Sequence, residues 1–325
     1  METPTRIERN DGGKPFVNVK LDYGFKWFFG QLKRKPILIR YLNAIFERAG
    51  RDIVVKDIEY HDKEMLPETQ EGKKIIYDIY CSSPEGHHFI VEMQNVDSPL
   101  FVNRIVFYTA RIISGQGTTG WNYDVAPVFS VIVSDFNVRN LPKRLFHDVV
   151  LYDRETATEF SDRVNIFLIC LPELPESWKE CETEFERLSY LVDRIGSLDR
   201  DSEEFKDMGY KDFFKAAEKT NMSDSEYVLY SQSEAKEAEI RSGMEMMREE
   251  LKEQYRQQYL DEGRAEGRAE GRAEGRAEGR AEGKLSLAKE VIRNLLAKKM
   301  DFASISDICG LDVSQVREIA STISL

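Results

Sequence analysis

The sequence predicts a mixed α/β domain followed by an all-helical, charged extension. Three observations carry that expectation. The apolar period changes from helical to strand-like and back within the first 175 residues, a glycine-containing turn joins two of the strand-like runs, and the composition shifts after Pro175.

Between Tyr23 and Ala49, Phe25, Phe28, Phe29, Leu32, Ile39, Leu42, Ile45 and Phe46 recur at helical spacing, interrupted at Pro36, which predicts one or two helices ending at Gly50. DIVVKDIEY (52–60), KIIYDIYC (74–81) and HHFIVEMQ (87–94) are short and β-branched and read as three strands. Residues 99–115 return to helical spacing, with Phe101, Ile105, Tyr108, Ile112 and Ile113 on one side. APVFSVIVSDF (126–136) and VNIFLICLPEL (164–174) are apolar runs of the buried-strand type. The α/β domain is expected to span residues 15–175.

Residues 176–260 read as charged helices, of which 235–260 carry few large apolar residues and are expected to project from the core. EGRA then repeats five times from Glu262 to Ala281, within a segment 261–284. A period of four advances about 400° around a helix, so the glycines form a slowly wrapping stripe. The i, i+4 neighbours are like charges, and each glycine costs roughly 1 kcal/mol against alanine. The array is therefore expected to act as a tether, the alternative being a helix held by a partner. In residues 285–325, Ile305, Gly310, Leu311, Val316 and Ile319 fit two short helices around a glycine turn, as in a helix-turn-helix. Gln315 and Arg317 are its chief candidates for base contact; a small packing or dimerising cap is the other reading.

The net charge of −12 divides unevenly: residues 1–150 hold 20 Lys or Arg against 19 Asp or Glu, leaving 26 against 39 for the remainder. A local basic face of Lys33, Arg34, Lys35, Arg40 and Arg48 remains compatible with a nucleic-acid partner. Cys81, Cys170, Cys181 and Cys309 are scattered, with no CxxC pair, which argues against a zinc module and for a reducing compartment. The polar amino-terminal stretch lacks an apolar h-region and no run of 18 apolar residues follows, so a cytoplasmic protein without a membrane partner is expected.

Chemistry concentrates at the turn SSPEGH. Pro84 suits the first central position of a type I turn and Gly86 the following residue with positive φ. If Ser83 and His87 close that turn, Asp78 lies opposite Glu92 and Ile76 opposite Gln94, and three polar groups meet on an otherwise apolar face. Two adjacent buried carboxylates repel, and a divalent cation between them relieves that cost. The plain alternative is a pair of acids on a solvated sheet face. His87 and His88 flank the turn as solvent or strand-edge residues.

The ordered blocks DYGFKWFFG (22–30), YDIY around Asp78, IVEMQN around Glu92 and Gln94, and NRIVFYTARI (103–112) resemble the Rpn-type recombination-promoting nucleases and transposases of the PD-(D/E)xK superfamily. The resemblance covers about residues 15–175 and implies a restriction-endonuclease-like αβββαβ core, a mixed sheet flanked by helices. It further implies Mg²⁺-dependent cleavage of DNA with little sequence preference, Mn²⁺ being the alternative ion, and a link to recombination or mobile elements. Asp78 and Glu92 would be metal ligands, with the Met93 carbonyl a third; Asp22 would complete the site through water, or simply cap the helix near Tyr23. Lys26, Arg104 and Tyr108 would contact substrate, although an exposed helical Arg and a half-buried Tyr explain the last two equally. Gln94 stands where the superfamily usually has lysine, and Tyr77 where it often has proline. Glutamine orients a water but cannot lower its pKa as a cation does. A catalytically weak DNA-binding protein, or a scaffold that forms homo-oligomers through its carboxy-terminal helices, is the competing reading.

Overall fold

The first apolar run folds as two helices, α1 (Asp22–Phe29) and α2 (Lys35–Arg48), with a 3₁₀ turn between them and Pro36 in the first turn of α2, where its missing N–H costs nothing. The chain leaves α2 through Gly50 at φ +65°. The computed structural model describes residues 14–62, 64–65, 75–117 and 124–323.

Among the described residues eight strands follow in chain order: β1 (Glu59–Tyr60), β2 (Glu64–Met65), β3 (Ile75–Ile76), β4 (Ile79–Ser82), β5 (His88–Gln94), β6 (Val128–Ser134), β7 (Phe146–Tyr152) and β8 (Glu159–Cys170). Six of them form one sheet in the order β1-β4-β5-β6-β8-β7, while β2 and β3 pair separately. β5, β6 and β8 run parallel, and both edges are antiparallel. The crossover from β5 to β6 is α3 (Phe101–Gly115), as a parallel connection requires. Within the six-stranded sheet, with β2 and β3 set aside, chain order gives helix, three strands (β1, β4, β5), helix and strand, the expected αβββαβ core.

Helices cover both faces. Phe89, Val91, Phe129, Val131, Val133, Phe167 and Ile169 point to the side of α1 and α2, where Phe46 makes edge contacts with the rings of Phe89, Phe129 and Phe167. Ile90, Ile132, Ile166 and Leu168 point to α3, which buries Phe101, Ile105 and Ile112 against them and leaves Tyr108 and Ile113 partly buried.

The core does not close near residue 175. Helices α4 (Glu184–Arg194), α5 (Glu203–Lys206) and α6 (Lys211–Ala217) follow, and Phe185, Leu188, Leu191, Phe213 and Phe214 join the same apolar cluster as Phe16, Phe25 and Phe28. One compact unit accordingly takes in the described residues through Ile240, and a second begins at Arg241. The charged surfaces of α4–α6 hid an amphipathic inner face.

Several local expectations are corrected. Of Asp52–Tyr60 only β1 is strand, because the Asn43 amide grips both backbone groups of Val55 (Nδ2 to O, 2.9 Å; N to Oδ1, 2.7 Å) in place of a neighbouring strand. KIIYDIYC is broken at Asp78, and Ile76 pairs with Glu64 rather than lying opposite Gln94. Strand β7 was not anticipated: only its His147 is fully buried, so an edge strand of this kind carries little apolar signal. The basic face is largely spent internally. Arg34 stacks 3.3 Å above the Trp27 ring, Arg40 pairs with Glu184 and Asp212, Lys35 with Asp57, and Arg48 lies over Phe146.

The EGRA array is helical, not a flexible tether. It lies inside α7 (Asp224–Ala297), and its side chains are exposed. Nucleation is the costly step of helix formation, and strong helix formers on both sides supply it, so propagation carries through the glycines. In the second unit, α7 is followed by α8 (Phe302–Cys309) and α9 (Val313–Ser321), joined at Gly310 with φ +61°. Ile292, Ile305, Val316 and Ile323 form its core. Gln315 is spent on a capping box with Asp312, and Arg317 lies over the Phe302 ring, so both base-contact candidates have structural work. No helix among the described residues is long and apolar enough to cross a membrane.

Candidate active site

The hairpin turn aligns the site. Ser83 N–H donates to the His87 carbonyl at 2.8 Å, Gly86 N–H donates to the Ser83 carbonyl at 2.9 Å, and Gly86 takes φ +92°. The register that follows pairs Ser82 with His88, Cys81 with Phe89, Tyr80 with Ile90 and Ile79 with Val91. One more step places Asp78 against Glu92, and there side chains take over from the ladder. Asp78 N–H donates to Glu92 Oε1 at 3.0 Å, while Met93 N–H donates to Asp78 Oδ2 at 3.1 Å. The break in KIIYDIYC therefore serves the site: Ile75 and Tyr77 pack toward α3, Ile79 and Cys81 toward α2, and Asp78 sits where the chain changes face.

Each remaining carboxylate oxygen also has a donor. Gln94 Nε2 reaches Glu92 Oε2 at 3.3 Å, and Lys26 Nζ reaches Asp78 Oδ1 at 3.1 Å. Arg104 of α3 donates to Gln94 Oε1, which turns the Gln94 amide toward Glu92. Lys26 also holds Asp22 Oδ1 at 2.6 Å, one helical turn earlier. Asp22 is the first residue of α1 and not its cap, since Leu21 holds that position without a side-chain bond. Tyr108 stands edge-on to the buried Tyr77, 5.4 Å between centroids, and Tyr77 donates to its carbonyl. The structure thus brings Asp78, Glu92, Gln94, Lys26, Arg104 and the Met93 backbone into one cluster, with Tyr108 on its border and Asp22 linked through Lys26.

Burial sets the electrostatics. Glu92 is 5 % exposed, and desolvation, reinforced by the Asp78 charge, raises its pKa to about 8. Asp78 is raised as well, by burial against the opposing pull of Lys26. Desolvation alone would depress Lys26, but Asp78 and Asp22 outweigh it and its pKa rises. Two carboxylates that resist ionising side by side are a site short of positive charge.

The histidines have packing roles: His88 Nδ1 lies 2.9 Å from Tyr80 OH, and His87 packs against Phe129. Sequence reasoning missed Lys20, which bridges Asp135 and Asp193 at 3.1 and 2.7 Å while its carbonyl accepts from Asn95 at 2.7 Å. Asp135 directly follows β6 and its N–H binds the Gln94 carbonyl, so this bridge fastens the strand ends beside the site. Nothing in the local pattern of residues 18–21 announces it.

The family model of the PD-(D/E)XK nuclease family transposases matches residues 19–246. The chain belongs to this family. Its mixed six-stranded sheet flanked by helices is the restriction-endonuclease-like α/β fold, and the match includes α4–α6, in keeping with the core that continues past residue 175. No curated protein and no solved structure matches the chain. PD-(D/E)XK nucleases generally use divalent metals. Among the described residues no group of three or more His, Cys, Asp or Glu side chains converges. Two adjacent carboxylates with raised pKa values, buried Glu92 and partly buried Asp78, would suit a largely hydrated divalent ion that takes few protein ligands.

Proposed function

We propose that the protein is a Mg²⁺-dependent DNA endonuclease of low sequence preference that acts in recombination or the movement of mobile elements. The observation that supports it is the pair formed by buried Glu92 and partly buried Asp78, cross-bonded through Asp78 N–H and flanked by Lys26 and Arg104. Asp78, Glu92 and the Met93 carbonyl would hold Mg²⁺, or Mn²⁺ in its place, which supplies an activated water and countercharge for the phosphate. Gln94, turned by Arg104, orients that water by hydrogen bonding. Lys26 from α1 and Arg104 and Tyr108 from α3 border the pair and receive the phosphate backbone.

The deciding experiment is nicking of supercoiled plasmid by the full chain with Mg²⁺ and with chelator. The wild type is expected to nick only with Mg²⁺, and Asp78→Ala to be inactive while keeping its circular-dichroism spectrum. Equal cleavage by the folded variant would overturn the metal-site assignment. A wild type that binds DNA without turning it over would instead favour a binding or scaffold protein with a nuclease fold.

Gln94→Lys is expected to keep or raise the cleavage rate. It places a cation next to Glu92 Oε2, and Arg104, which is exposed, is free to swing outward. A folded variant with activity far below wild type would show that the amide itself, held between Glu92 and Arg104, is needed.

A further inference from the structure

Among the described residues Lys26 is the side-chain cation in direct contact with the carboxylate pair, and it stands between two acids in different surroundings. Its ammonium lies 3.1 Å from Asp78 Oδ1 and 2.6 Å from Asp22 Oδ1. The Asp78 side chain is 13 % exposed and that of Asp22 is 72 % exposed. Asp22 and Lys26 share one face of α1, so the ammonium can exchange partners by rotating its own stem without moving the backbone. Of the four carboxylate oxygens in the pair, Asp78 Oδ1 is held by a flexible cation, two are held by backbone N–H groups, and Glu92 Oε2 is held by an amide that Arg104 fixes in place. Asp78 Oδ1 is therefore the atom most readily released to another cation.

We propose that Lys26 is the built-in counter-ion of the pair, neutralising Asp78 until a divalent ion takes Asp78 Oδ1 and then passing to Asp22 and an incoming phosphate oxygen. This rests on the metal-dependent reading above. Lys26 then competes with the metal for Asp78 and assists the substrate once the metal is in place, while Asp22 is a positioning residue that draws the ammonium off Asp78.

The consequence is a pair of variants with opposite effects on metal affinity. Lys26→Met keeps the length of the stem and removes the competing charge, so divalent binding should tighten about ten-fold while plasmid cleavage at saturating metal falls about a hundred-fold. Asp22→Asn removes the alternative partner of the ammonium, so divalent binding should weaken several-fold. A lysine needed only for packing would weaken metal binding and cleavage together when removed. Lys26→Arg, which keeps the cation, should stay within about three-fold of wild-type affinity, a change of under 1 kcal/mol.

The measurement is a titration of the full chain with Mn²⁺, free ion being read by electron paramagnetic resonance without DNA, followed by cleavage at saturating metal. Tighter binding by Lys26→Met together with weaker binding by Asp22→Asn supports the proposal. Equal or weaker binding by a folded Lys26→Met overturns it and leaves the metal site standing. Failure of the wild type to bind Mn²⁺ at all removes the metal reading and this inference with it.

Discussion

Glu92→Gln is expected to abolish cleavage, by about a thousand-fold or more, while making the metal-free protein more stable at pH 8. The loss of activity follows from replacing a carboxylate at the centre of the pair with a neutral group of the same shape. The gain in stability follows from the pKa of Glu92, raised from 4.5 to about 8 mainly by burial. A raised pKa means that the folded protein holds this proton more tightly than the unfolded chain does. The stabilising contribution is complete below about pH 4.5 and is lost as pH rises through about 8. One such group gives a slope of at most about 1.4 kcal/mol per pH unit in that window. Glutamine has no proton to lose, so wild type and variant should match near pH 4 and diverge by at most about 4 kcal/mol at pH 8. Divalent ion should restore the wild type at pH 8 and leave the variant unchanged. Urea unfolding at pH 4, 6 and 8, with Mg²⁺ and with chelator, measures all of this. Parallel stability curves for the two proteins would mean that Glu92 is ionised and comfortable in the folded state without metal.

Gly24→Ala and Gly196→Ala should each cost about 3 kcal/mol of stability, a drop of about 10 °C in the thermal midpoint. Both glycines press on the backbone of Asn18, which passes between α1 and the turn after α4. A methyl group at Gly24 would lie 2.1 Å from the Asn18 carbonyl oxygen, and one at Gly196 would lie 2.5 Å from Asn18 Cα. Neither obstacle is a flexible side-chain end, so the segment itself has to move. That segment is anchored elsewhere: Asn18 N–H donates to Tyr230 OH, Val17 N–H to the Ala217 carbonyl, and Phe16 bridges to Glu218. At Gly24 alanine also gains about 1 kcal/mol of helix propensity, which sets the sign of the test. A Gly24→Ala protein as stable as wild type would show that the passage widens freely. Because Gly24 lies two residues before Lys26, that variant should also lose cleavage, whereas Gly196→Ala should act chiefly on stability.

The local parts of this protein are legible in its residues alone. Apolar period and turn chemistry gave α1, α2, α3, the β4–β5 hairpin with its register, and the two short helices around Gly310, because a turn with Pro84 and Gly86 fixes every later pair by counting. The opposition of Asp78 and Glu92 is a product of that counting, and four ordered motif blocks were enough to point to the family. Features that depend on residues distant in the chain emerge only once it is folded. Asn43 converts an expected strand into an irregular segment, Lys26 reaches Asp78 from another element, Arg104 turns Gln94, and helices beyond residue 175 complete the core. In each case a side chain satisfies a backbone group, a charge or an apolar face that the local pattern leaves open. Local pattern records a residue's preference for burial or for a turn, but the partner that satisfies a buried polar group is chosen by packing, which no spacing along the chain encodes.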